Sequence, residues 1–156
     1  TEEAIFIGLL AILAIIVIIF IKYRTLKVVI PMALTIVMEV ILILGVASLI
    51  GWDLDLAAIA GIIIAVGTGI DHQIIIADET LRGKESEFLD WKVKFKRAFF
   101  IIMVAYITTV VAMIPLLGAG AGLLKGFALT TIIGTTIGVF ITRPAYASAI
   151  EVLLKD

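Results

Sequence analysis

No cysteine occurs in the 156 residues. That excludes a disulfide frame, a thiolate metal site and a cysteine nucleophile, and it leaves the redox compartment undefined. Charge is also scarce: only 16% of the residues are Asp, Glu, Lys or Arg, and the net charge is -1. No long basic block points to a nucleic acid, so no nucleic-acid partner is expected. The single histidine, His72, has no second imidazole to help it hold zinc, and the carboxylates at their spacings make no recognisable metal cage. Neither a metal nor a cofactor is expected. There is no Pro/Ser-rich linker, no low-complexity tract and no stretch of soluble-domain composition. What fills the chain is apolar, with 63% hydrophobic residues and a mean hydropathy of +1.27. Soluble domains are less apolar and more charged, so the expected class is an all-α integral membrane protein.

The apolar runs divide the chain into five expected membrane helices in a single domain over 1–156. About 20 residues at 1.5 Å per residue cross a hydrocarbon core of roughly 30 Å. Residues 4–21 form the first such run, ending in Lys22-Tyr23-Arg24, and 28–50 the second, with Pro31 in its first turn, where a missing N–H costs little. Gly51-Trp52-Asp53-Leu54-Asp55 reads as a turn with an interfacial Trp and acids able to cap the next helix. The third span is 56–76 and the fourth 98–117. The fifth is 127–150, continuing past Pro144 as a kinked or interfacial tail. Between the third and fourth, residues 85–97 lead an aromatic series of Phe88, Trp91, Phe95 and Phe99 at helical spacing, with Lys92, Lys94, Lys96 and Arg97 around them. That pattern predicts a short cytoplasmic amphipathic helix in the headgroup layer, its lysines reaching for phosphates. The chain opens on Thr-Glu-Glu without a basic n-region, which is no signal peptide; a fragment of a longer protein is expected.

Eleven of the twelve Lys and Arg fall in the first loop, the third loop and the C-terminal segment, where Arg143 and Lys155 are expected. Only Lys125 falls opposite. The positive-inside rule then places those loops and the C-terminus in the cytoplasm, with Thr1 and the Trp52 turn outside.

Inside the third span lies Gly67-Thr68-Gly69-Ile70-Asp71-His72-Gln73. An ionisable residue within a membrane helix is a functional-site hypothesis by default, because burying its charge in hydrocarbon is costly. Asp71 lies about 10 Å from Asp78 along the helix. Gly61, Gly67 and Gly69 permit close approach of another helix, so Asp71 is expected to face the bundle. Glu39 on the second span and Thr108 and Thr109 on the fourth are candidate neighbours. Thr135 and Thr136, beside the Gly134–Gly138 ridge, are others. Glu39 is either a second coupling acid or a protonated acid that only bonds helices together. Gln73 and His72 are read as supporting groups, and His72 can equally be a simple interhelical hydrogen bond. With no Lys or Arg expected mid-span, a cationic partner for Asp71 would come from another subunit.

The run Ala-Ile-Ala-Gly-Ile-Ile-Ile-Ala-Val-Gly-Thr-Gly-Ile-Asp-His-Gln, continuing into Ala-Asp-Glu, resembles one helix of the SecD family of protein-export membrane subunits, part of the resistance-nodulation-division superfamily. Lys96-Arg97-Ala98 to Thr108-Thr109, Lys125-Gly126-Phe127-Ala128 and Ile141-Thr142-Arg143 resemble its last two helices, in the expected order. The resemblance implies six membrane helices with a large outer domain after the first, of which this chain holds the last five; the first helix and the outer domain would be absent. It implies partnership with a SecF-like subunit, a protein-conducting Sec channel and an exported polypeptide in the cell membrane. It also places the family's proton-coupling aspartate on Asp71. Asp71-His72-Gln73 is similar to the archaeal form, where bacterial members commonly read Asp-Ala-Asn. The fourth span has Val104-Ala105-Tyr106-Ile107-Thr108-Thr109 where bacterial relatives carry a second acid, which raises interest in Glu39.

Three functions stand as alternatives. The first is an energy coupler in which Asp71 takes and releases protons during export. The second is a structural docking module for the SecF-like partner, and the third a lipid- or drug-exporting half-transporter of the same superfamily. Intramembrane aspartyl proteolysis needs Gly-x-Gly-Asp, and here the acid is one residue late, so no enzymatic activity is expected.

Overall fold

The computed structural model describes residues 2–82, 91–119 and 122–155, and all regular structure among them is helical. Helix α1 runs over Glu2–Tyr23, α2 over Leu26–Ile50, α3 over Leu56–Arg82 and α4 over Trp91–Ala119. Helix α5 covers Gly122–Ile137, and a π-helical segment, Gly138–Thr142, passes without a break into α6, Arg143–Lys155. On length and composition, Leu26–Ile50, Leu56–Leu81, Trp91–Gly118 and the continuous Gly122–Leu154 can each cross a membrane. The helices outrun the expected spans at most ends, because polar flanks can stay helical once the apolar part is packed.

Local chemistry sets the boundaries. α2 stops at Gly51, whose φ of 68° is the left-handed conformation that a side chain disfavours, and the Gly51 N–H reaches back to Ala47 and Ser48 carbonyls. Asp55 then starts α3 by accepting the Ala58 backbone N–H at 2.7 Å, as the capping reading of that turn requires. Of the amphipathic segment expected over 85–97, residues 91–97 form the first turns of α4, whose helix runs on unbroken; Phe88 and the rest of 85–90 lie outside the described residues. Trp91, Phe95 and Phe99 stack along this part of α4 with ring centroids 5.1 and 6.1 Å apart.

The helices alternate in direction, so one end of the bundle gathers the ends of α1 and α3 and the start of α4. Here Tyr23 Oη donates to Asp78 Oδ1 at 2.6 Å, Lys22 Nζ donates to Asp78 Oδ2 at 3.1 Å, and Arg97 pairs with Glu79 at 3.6 Å. This is the basic end. At the far end lie the Gly51–Asp55 turn and the start of α5.

α3 and α5 are the central pair, and glycine lets them meet. A methyl group at Gly61 would overlap Thr130 and come within 2.7 Å of the Phe127 carbonyl; one at Gly134 would come within 2.5 Å of Ala65 Cβ. Small residues that bring backbones together are the main packing device between membrane helices, where lipid removes most of the hydrophobic drive. The hydroxyls there are satisfied: Thr130 reaches the Ala58 carbonyl across the interface, and Thr131 and Thr135 bond back along α5. Ile43, Ile62, Ala65 and Val66 complete this apolar half of the core. α1, α2 and α4 turn Leu10, Leu34, Val37, Ile41, Phe100 and Val104 outward, as a surface that meets hydrocarbon should.

Candidate functional site

α3 carries polar residues on two opposite faces. The face turned into the bundle holds Gly69, His72 and Gln73, spaced by three and four residues and so stacked on one side of the helix. α2 runs antiparallel beside it. Gln73 Nε2 donates to Thr35 Oγ1 at 2.8 Å, and one turn along, Glu39 faces Gly69. Gly69 is the fourteenth of the 27 residues of α3, so Glu39 lies about 20 Å from either end of that helix.

The group that meets Glu39 is Arg143. Its Nη1 donates to Glu39 Oε2 and to the neighbouring Thr142 Oγ1, while Thr142 Oγ1 donates to Glu39 Oε2 at 3.1 Å. Both side chains are 1% exposed. Two glycines make room for the guanidinium. A methyl at Gly69 would collide with it and lie 3.2 Å from Glu39 Oε1, and one at Gly138 would come within 2.7 Å of Arg143 Cζ. Gly69 thus serves the packing expected of it, but its neighbour is an arginine side chain.

This corrects the expectation from the sequence in two respects. Arg143 is inside the bundle and not at the basic end, and a cation does lie mid-span in this chain. The depth follows from the helix running on to Lys155, about 18 Å beyond Arg143, and the direction it faces from the π-helical turn. Pro144 has no N–H to give the Phe140 carbonyl, and its ring crowds that position in a regular α-helix. The Arg143 N–H reaches Gly138 instead, five residues back. A turn that holds an extra residue rotates the helix after it by about 100°, which swings Arg143 inward and carries Tyr146, Ala147 and Ile150 with it into the core. Pro144 is the signal in the sequence, and it marks a change of helix type where a kink is expected.

Asp71 has the opposite fate. Its side chain is exposed, on the outside of this chain's own bundle, and the expectation that it faces inward is overturned. It comes two residues after Gly69, about 200° around the helix, so the packing that buries Gly69 turns Asp71 out. Gly67 shares the outer side: a methyl there meets nothing within 4 Å. Ile63 and Ile64 extend the surface, both exposed. Among the described residues, none of the ion pairs includes Asp71.

The remaining expected residues divide the same way. His72 and Gln73 are buried, at 3% and 0% exposure, on the Glu39 side. Thr108 is exposed on α4 and Thr109 half-buried, and each donates back to its own helix, to the Val104 and Ala105 carbonyls. Thr136 takes part in a hydrogen bond with Tyr106 at 3.1 Å, while Thr135 bonds back to Thr131. Glu39 and Asp71 therefore stand on different faces and form no shared-proton pair of the kind aspartyl proteolysis uses. No group of three His, Cys, Asp or Glu able to hold a metal occurs among the described residues.

A family model described as "Protein export membrane protein SecD/SecF, C-terminal" matches residues 1–150. The chain belongs to the SecD/SecF family. Its resemblance to SecD proteins of archaea is correspondingly close. It is 52% identical over 94% of its length to the protein-export membrane protein SecD of Methanocaldococcus jannaschii, and 51% identical over 96% to that of Methanothermobacter thermautotrophicus. A SecD of Thermococcus gammatolerans is 49% identical over 99% of the chain. The chain spans 36%, 39% and 30% of those SecD proteins. Family membership and the apolar helices together make this a multi-pass membrane protein of a protein-export family.

Proposed function

We propose that the chain is the membrane part of a SecD-like auxiliary subunit that couples an ion gradient, carried by protons, to polypeptide export together with a SecF-like partner at the Sec channel. The observation that carries this reading is the position of Asp71. It is an acid near the middle of an apolar helix, turned away from its own bundle, beside a glycine with open space in front of it. An uncompensated carboxylate in hydrocarbon is unfavourable, so the outer face of α3 is one that another protein surface covers and hydrates. A carboxyl group there protonates from one side of the membrane and releases to the other as that surface moves, and its charge change drives the repacking. Any cation that faces Asp71 belongs to the partner, because Arg143 is spent on Glu39.

The reading keeps all five helices as membrane spans, with the N-terminal end of the chain outside and the basic end and C-terminus cytoplasmic, in line with the Lys/Arg asymmetry. The activity is transport and not enzymatic. Glu39, the second acid named for coupling, takes part only if its bond to Arg143 opens during the cycle.

The test is Asp71→Asn in the full-length subunit assembled with its SecF-like partner in sealed vesicles. Gradient-dependent export is lost while the assembly co-purifies as before. Unimpaired export from this variant, combined with loss of the partner in Gly67→Leu, would leave only the docking role.

A further inference from the structure

The inner face of α3 carries more polar groups than the bundle satisfies. Five buried side-chain atoms in this half of the core have no hydrogen-bond partner among the described residues: Glu39 Oε1, Arg143 Nε, His72 Nδ1, Gln73 Oε1 and Tyr146 Oη. All five residues are 3% exposed or less. They are not scattered. Glu39 and Arg143 touch at Gly69; His72 and Gln73 come three and four residues after Gly69 on the same face of α3, and Tyr146 comes three after Arg143 on the buried face of α6. His72 and Gln73 therefore lie within about one helical turn, some 5 Å along α3, of the place where the pair meets, and Tyr146 lies one turn beyond Arg143 on α6, near Asp78. In the other half of the core the buried hydroxyls of Thr130, Thr131 and Thr135 all find carbonyls, and the atom without a partner at that end, Trp52 Nε1, belongs to the Gly51–Asp55 turn.

A buried polar atom without a partner keeps its full desolvation cost, and more if charged, so five together need a common explanation. The chemistry of the set selects it. Glu39 Oε1 and Gln73 Oε1 only accept, Arg143 Nε only donates, and Tyr146 Oη and the imidazole do either. A metal cation would satisfy the acceptors but meet the guanidinium, and an anion would satisfy the donors but meet the carboxylate. A molecule that both donates and accepts, carries no charge and fits among side chains serves all five. Water in protein interiors does this, making two to four bonds to groups otherwise unsatisfied.

We propose that the Glu39–Arg143 cluster is an internal hydration site: ordered water held near the middle of the membrane, between α2, α3 and α6, on the face of α3 opposite Asp71. Tyr146 and Gln73 extend the site one turn towards the basic end, and the apolar packing of Ile43, Ile62 and Ala65 closes it towards the far end. Hydration lowers the cost of keeping a full ion pair in the core.

The test is brief X-ray radiolysis of the full-length subunit assembled with its partner in lipid. Hydroxyl radicals then form from bound water, and mass spectrometry reads oxidation at each side chain. His72 and Tyr146, although buried, are oxidised at rates approaching that of Tyr23 at the basic end. Asp71→Asn leaves those rates unchanged, so the result is independent of the coupling role. In the double variant Glu39→Met/Arg143→Met the rates at His72 and Tyr146 fall several-fold, while that of Trp52 at the far end stays constant. Unmodified His72 and Tyr146 in the native protein, at doses that label Tyr23, mean a dry core and overturn the proposal. Unchanged rates in the double variant overturn it too, because the water would then not be held by the pair. Should the double variant fail to assemble, Gln73→Leu removes one acceptor and is read in the same way, with a drop at His72 expected.

Discussion

The two faces of α3 use the same kinds of residue to opposite ends. Inside, Gly69 admits an arginine that neutralises Glu39, and the acid is locked by Arg143 and Thr142 within a core it helps to order. Outside, a methyl at Gly67 meets no described residue within 4 Å, and Asp71 stands exposed with no ion pair among the described residues. An acid that is permanently paired is a poor carrier of a changing charge, whereas one left open by its own chain can exchange it. The lesson is that an intramembrane carboxylate's depth says little about its task. Which helix face it occupies says much more.

The comparison breaks most visibly if the inner pair is split. Arg143→Met leaves a buried carboxylate uncompensated and is expected to cost about 3–5 kcal/mol, measured as unfolding in detergent or bicelles. The double variant Glu39→Met/Arg143→Met should recover most of that loss, since a buried pair replaced by apolar residues of similar volume is often neutral. Equal stability of the single and double variants would mean that the two side chains do not depend on each other. Asp71→Asn, by contrast, should change stability by no more than about 0.5 kcal/mol, as a surface substitution does. Its effect belongs to gradient-driven export.

The glycines sharpen the same contrast at smaller cost. Gly69→Ala forces the guanidinium aside and is expected to destabilise by about 1–3 kcal/mol, like other overpacked cores. Gly67→Ala meets open space, and its gain in helix propensity should stabilise the isolated subunit by up to about 1 kcal/mol. Both are read from the shift of the unfolding midpoint, and equal shifts would erase the distinction between the faces. Smallest is Thr35→Val, which removes the hydroxyl that Gln73 Nε2 bonds and should cost about 1 kcal/mol in the same assay.

The helices themselves were legible in the residues. Apolar runs of membrane-crossing length, Gly51 as a stop and Asp55 as a cap arise from backbone and solvation chemistry that acts locally. So does the presence of acids at Glu39 and Asp71 within those runs, and the motif order that carries the family resemblance. Rotation of α3 was not legible, because Gly67 and Gly69 offer both sides of the helix a place to pack and the apolar residues surround it. Only the meeting of α3 with α2 and α5 chose between them, through Gly61 against Thr130, Ala65 against Gly134 and Gly69 against Arg143. Arg143 illustrates the limit most sharply. Read as part of a kinked or interfacial tail it belongs at the charged end with Lys155, but the helix runs on to Lys155 and leaves Arg143 about 18 Å short of that end, while the π-helical turn before Pro144 sets the side it faces. Composition and spacing act within a segment and fix where helices begin, end and carry charge. Which charges meet depends on how helices rotate against one another, and that is decided by contacts between residues a hundred positions apart, such as Glu39 and Arg143.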